Sequence, residues 1–222
     1  MTIVHSAADW TRAAWLQWHR PWDAMHGSWE AQGHDRFVAA GATEHWLRLH
    51  YAGWCACYDL PLAPIPALLS GVNADDPGWR LLALSREDFD RCLRMVGRAL
   101  QFAAFPSSRL RNDSVTADRS ELRWSLARAP LIPPEQARSL VRSAEGHATA
   151  TWSALAAKAL HGWISPLSPL TWPRLRLRCE RDAVLAAESG VEGLTSSGAA
   201  LCARLWRAAL RASHLDLEET LS

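Results

Sequence analysis

Apolar residues in this chain of 222 recur at helical spacing, in segments cut by proline and glycine, and nowhere alternate in strand fashion over more than a few residues. The cleanest segment begins at Ser85. Phe89, Cys92, Leu93, Val96, Leu100 and Ala103 repeat every three or four positions, which places them on one face of a helix. Ser85 with Asp88 three residues later is a capping-box signature, and Glu87 and Asp88 sit favourably near the positive end of the helix dipole. The other face carries Asp90, Arg91, Arg94 and Arg98. One side is predicted to be core, and the other to meet water or a partner.

The same logic places the remaining helices. A first helix over 7–19 ends before Pro21, because the residue preceding a proline is driven out of the helical region. A short helix over 35–40 is stopped by Gly41, and Thr43 caps a third over 44–58. That third helix is apolar nearly all round, with Leu47, Tyr51, Trp54 and Tyr58 on one stripe and Trp46, Leu49, Gly53 and Cys57 on another, so it is predicted to be central and buried. Pro61, Pro64, Pro66 and the run Asn73 to Gly78 then interrupt regular structure. Further helices are predicted over 116–129, from Pro134 to about 143, onward to Leu160 after a weak point at Gly146, over 174–188 and over 196–212. The expected fold is all-α: a compact multi-helix domain of about eight helices with little or no sheet. Residues 1–60 form a Trp- and His-rich segment packed on a main domain at 79–222, joined by a Pro/Gly/Asp-rich connection at 61–78.

Composition narrows the function classes. With 49% apolar and 21% charged residues the chain can bury a substantial core and is not disordered. A net charge of +1 offers no general attraction to phosphate, so nucleic acid is not an expected partner. The bias towards arginine, with Lys158 the single lysine, matches the codon use of a GC-rich genome better than it matches carboxylate recognition. Five cysteines at irregular spacing suit reduced thiols. The N-terminal stretch lacks the pattern of a secretory signal and no run is long enough to cross a bilayer, so a cytoplasmic location without membrane insertion is expected.

Six of nine histidines lie in the first fifty residues, close to Cys55 and Cys57. On one helix His45 and His50 differ by about 140° and Cys55 and Cys57 by about 200°, so neither pair closes on one ion. His50 and Cys57 share a face but stand about 10 Å apart along the axis. No Walker loop, dinucleotide fingerprint, HExxH, GxSxG or calcium loop is present. The expectation is a chain without catalytic, cofactor or metal-binding residues, the alternative being a helical enzyme or metal-binding bundle built on the His-rich first quarter. Thirteen tryptophans remain to be explained, seven of them in the first quarter. Trp46 and Trp54 suit gap-filling between helices, whereas Trp15, Trp18, Trp22 and Trp29 suit either core packing or the aromatic anchors of a protein interface.

The order of elements carries a resemblance. Trp79-Arg-Leu-Leu-Ala-Leu84 leads into the capped helix from Ser85 to Leu100, and after a variable stretch comes Trp124-Ser-Leu-Ala-Arg-Ala-Pro130. This order resembles the K subunit (SctK) of bacterial type III secretion systems, in which an LLALP lead-in opens an acidic-started amphipathic helix and a leucine- and arginine-rich helix ends in an R-A-P-like break. Here Ser85 stands where that family usually has proline. The resemblance covers about the central quarter of the chain. It implies a non-enzymatic, helical adaptor of the cytosolic sorting platform, peripheral to the inner membrane through the secretion complex. Its protein partners would be the cytoplasmic domain of the ring protein (SctD) and the pod protein (SctQ). An adaptor needs two surfaces, and the two offered are Trp15, Trp18, Trp22 and Trp29, and the charged face Arg91, Arg94 and Arg98. On that reading, Trp18→Ala and Trp22→Ala weaken partner binding and leave the melting temperature unchanged.

Overall fold

The computed structural model describes residues 7–29, 50–62, 76–106, 118–142, 151–189 and 195–219, and among them lie ten α-helices and no strand. In chain order these are α1 (Ala7–His19), α2 (Tyr51–Cys57), α3 (Pro77–Ala83), α4 (Arg86–Ala104), α5 (Arg119–Arg128), α6 (Pro134–Arg142), α7 (Trp152–Leu167), α8 (Trp172–Leu175), α9 (Arg181–Ser189) and α10 (Ser196–Glu219). Single 3-10 turns lie at Pro21–Ala24, Gly27–Trp29, Ala129–Leu131 and Arg176–Arg178. The helix expected over 35–40, Trp46, Leu47 and Leu49 of the next one, and the weak point at Gly146 lie outside the described residues.

The helices sort into two compact units. His5–Leu84 and Leu167–Arg181 make one, and Ser85–Pro166 with Asp182–Ser222 makes the other. The division therefore falls between Leu84 and Ser85, not within 61–78, and the unit containing the N-terminal helices is completed by a segment far along the chain.

In the first unit α1 lies along α3, with the rings of Trp18 and Trp79 4.9 Å apart. Helix α3 begins where Asp76 accepts a hydrogen bond from the Gly78 amide at 2.8 Å and Pro77 occupies the first turn, whose amides have no helical partner in any case. Gly78 is required there, because a Cβ would collide with Thr171 Oγ1 and Ser168 Oγ. The Ser168 hydroxyl in turn donates to Asp76 at 2.8 Å. Helix α2 buries Trp54, Cys55 and Tyr58 but exposes Ala52, Gly53, Ala56 and Cys57. Its described part is thus amphipathic, and the expectation of burial on every side fails there because only the side carrying Tyr51, Trp54, Cys55 and Tyr58 finds a neighbour.

The continuous helix expected over 174–188 is broken. Four residues of α8 pass into a 3-10 turn, and Cys179 is extended (φ −96°, ψ 160°) before α9 starts. Leu175, Leu177 and Cys179 are all buried, a two-residue repeat that an α-helix cannot keep on one face.

The second unit is built round α4. Ser85 caps it as its spacing indicated, accepting from the Asp88 amide at 3.0 Å. Its apolar face buries Phe89, Cys92, Val96, Ala99, Leu100 and Phe102, and α10 contributes Trp206, whose ring lies 6.2 Å from Phe89 and 6.4 Å from Trp163 of α7. Gly97 admits α7 so closely that a Cβ would strike the Trp152 carbonyl. Helix α5 starts at the Asp118 cap and ends in the turn containing Pro130.

Candidate functional site

The densest polar arrangement lies in the first unit and is made by Arg174, Arg176 and Arg178, one from each step of the α8 turn. Each reaches the C-terminal end of a different helix, where carbonyl groups lack helical partners and carry partial negative charge. Arg174 Nε donates to the Trp18 carbonyl at the end of α1 at 3.1 Å, and its Nη2 donates to the Tyr51 hydroxyl and the Pro61 carbonyl, each at 3.0 Å. The Tyr51 hydroxyl donates to the same Trp18 carbonyl at 3.2 Å. Arg176 Nη2 donates to the Tyr58 carbonyl at the end of α2 at 2.7 Å. Arg178 donates to the carbonyls of Leu81, Leu82 and Leu84 at the end of α3, at 2.9, 3.3 and 3.0 Å.

Arg174 is only 2% exposed, and its guanidinium lies 3.5 Å over the centre of the Trp18 ring. Its partners are neutral oxygens and an aromatic face, with no carboxylate among them. Burial pulls its pKa below the ordinary arginine value, opposed by the Tyr51 hydroxyl. Burial likewise raises the Tyr51 hydroxyl and the Cys55 thiol beside it, and burial followed by the Arg174 charge lowers His19. Through these hydrogen bonds the cluster is a clamp on helix ends.

Four tryptophans were left between core packing and partner contact, and the structure separates them. Trp18, 2% exposed, is held between Trp79 and Arg174. Trp29, 4% exposed, donates from Nε1 to the Cys179 carbonyl at 2.8 Å. Both are core, because the α8 turn supplies a cation for one and a carbonyl for the other. Trp22 is half-buried, edge-on to Trp54 at 5.4 Å and Tyr51 at 6.2 Å. Trp15 stands out at 45% exposed, beside exposed Leu16 and Arg12.

The charged face of α4 is likewise covered from within the second unit. Arg94 makes a two-pronged pair with Glu121 of α5, at 2.9 and 2.8 Å, and Arg98 reaches the same carboxylate at 3.4 Å. Arg91 donates to the Ser120 hydroxyl at 2.8 Å, and the Ser125 hydroxyl donates to the Met95 carbonyl at 3.1 Å. Arg91, Arg94 and Arg98 therefore hold α5 instead of offering a free surface. The signal for this was a lone glutamate in an arginine-rich helix, Glu121, now 3% exposed.

Among the described residues no group of three His, Cys, Asp or Glu side chains is arranged to hold a metal ion, and no helix is long and apolar enough to cross a membrane. Cys55 is buried and Cys57 exposed, on different sides of α2, while His34 and His45 lie outside the described residues. No protein-family model matches the chain, and no curated protein or solved structure shows significant similarity to it.

Proposed function

We propose that this chain is a non-enzymatic adaptor of a type III secretion sorting platform, joining the cytoplasmic domain of the ring protein to the pod protein at the cytoplasmic side of the inner membrane. The observation that carries the reading is the series from Trp79 to Pro130: the lead-in Trp79 to Leu84, the capped helix α4, and the arginine-rich α5 ending at Arg128-Ala129-Pro130. An adaptor works by presenting surfaces, and of the four candidate tryptophans Trp15, beside exposed Arg12 and Leu16 on α1, is the most exposed.

Co-purification tests the reading. The chain is expected to retain the ring-protein domain and the pod protein when each is present in folded form, and Trp15→Ala is expected to weaken one of the two associations by about ten-fold. Failure to bind either protein would overturn it.

A further inference from the structure

We infer that the outer face of α5 is a docking surface for an acidic, aliphatic helical segment of another protein. The inner face of α5 is committed, since Glu121 and Ser125 fasten it to α4. At 100° per residue Arg119, Arg123, Leu126 and Ala127 fall within about 100° of one another on the opposite side. All four are exposed, and the following turn adds exposed Pro130 and Leu131. Leu131 is 66% and Leu126 38% exposed, a costly display of apolar surface for a helix that already has a packed inner side.

The charges round these leucines are one-sided. Among the described residues neither Arg119 nor Arg123 has an acidic partner, while Arg128, about 180° round the helix from Arg119, lies over the Trp124 ring, 5.8 Å from its guanidinium. The acids of this stretch are occupied: Glu121 by Arg94 and Arg98, Asp118 by the Ser120 amide at the helix start, and Glu135 by Arg138. Two guanidinium forks beside Leu126 match carboxylates flanking an aliphatic ridge, because arginine pairs with carboxylates in a two-pronged way while the leucines remain to be covered. Phosphate recognition would leave Leu126 and Leu131 unused, and Trp124, half-buried beside Arg128, offers no open stacking platform. The inference does not depend on which proteins the adaptor joins.

The test uses the full chain and fluorescence anisotropy with a labelled helical peptide carrying leucines at i, i+3 and i+4 and glutamates on either side. Saturable binding that weakens with added salt is expected, with a loss of about ten-fold in Arg119→Glu/Arg123→Glu and a similar loss in Leu126→Ser/Leu131→Ser. A peptide with lysine in place of glutamate should regain binding to the charge-reversed variant, which also shows that this variant is folded. The inference is overturned if the glutamate peptide does not bind, if neither double variant weakens it, or if its leucine-to-serine counterpart or a single-stranded oligonucleotide binds as tightly. Failure here leaves binding to the ring and pod proteins intact, whereas failure of the co-purification leaves this peptide binding intact.

Discussion

Arg174 shows how a single side chain acquires a role that its neighbours in sequence do not suggest. It satisfies the Trp18 and Pro61 carbonyls and covers the Trp18 ring, so Arg174→Met is expected to lower the unfolding free energy by about 3 kcal/mol, with Arg174→Lys recovering little because an ammonium cannot span the same acceptors. Urea midpoints would show it. Trp18→Ala should cost about 3–5 kcal/mol, the usual range for emptying a buried aromatic site, while Trp15→Ala, exposed as it is, should change stability by no more than about 0.5 kcal/mol. Of the two alternatives that the sequence left for Trp18 this is the core one, and its indole gave no sign of the cation that lies over it. The thiols separate in the same manner. Cys57 is exposed while Cys55, Cys92, Cys179 and Cys202 are buried, and burial pushes Cys202 up to about 12, so a thiol reagent should modify Cys57 rapidly and leave the other four until unfolding.

At the scale of elements, one carboxylate supplies the ionic part of the pairing of α4 with α5. Glu121→Gln removes the charge that Arg94 and Arg98 share and is expected to cost about 1–3 kcal/mol, with loss of protection of the α5 amides in hydrogen exchange. Gly97→Ala should destabilise by about 1–3 kcal/mol, since its Cβ meets the rigid Trp152 carbonyl and one of two helices must shift. The start of α5 has a pH dependence of known sign. The Ser120 amide bond holds the exposed Asp118 carboxyl below its usual range, so its contribution is present above the unfolded value near ~4 and is lost as pH falls through the lower folded value. Asp118→Ala should cost about 1 kcal/mol at neutral pH, and Asp118→Asn should keep most of the cap while flattening that acid limb in a helicity titration. The caps at Ser85 and the body of α4 were legible beforehand because a cap and a helical period are local. The break of the 174–188 segment was not, because it answers to buried partners on α1, α2 and α3.

For the whole molecule, the consequence is that the first unit is discontinuous in sequence. A fragment ending at Leu84 lacks Arg174, Arg176 and Arg178 and leaves the carbonyl ends of α1, α2 and α3 open. It is expected to show no cooperative urea transition alone and to gain one when a peptide of residues 167–181 is supplied, as followed by circular dichroism; cooperative folding of the fragment by itself would refute that dependence. The sequence by itself determined the all-α class, the span of α1, the cap and apolar face of α4, and the absence of strand pairing among the described residues, since these rest on spacing within a few residues. Which surfaces stay open was decided by tertiary structure alone. An arginine reads the same in sequence whether it faces water, a helix end or Glu121, and a tryptophan reads the same whether or not a distant segment covers it. Long-range contacts buried Trp18 and Trp29 and tied Arg91, Arg94 and Arg98 to α5, and left Trp15 and the outer face of α5 exposed.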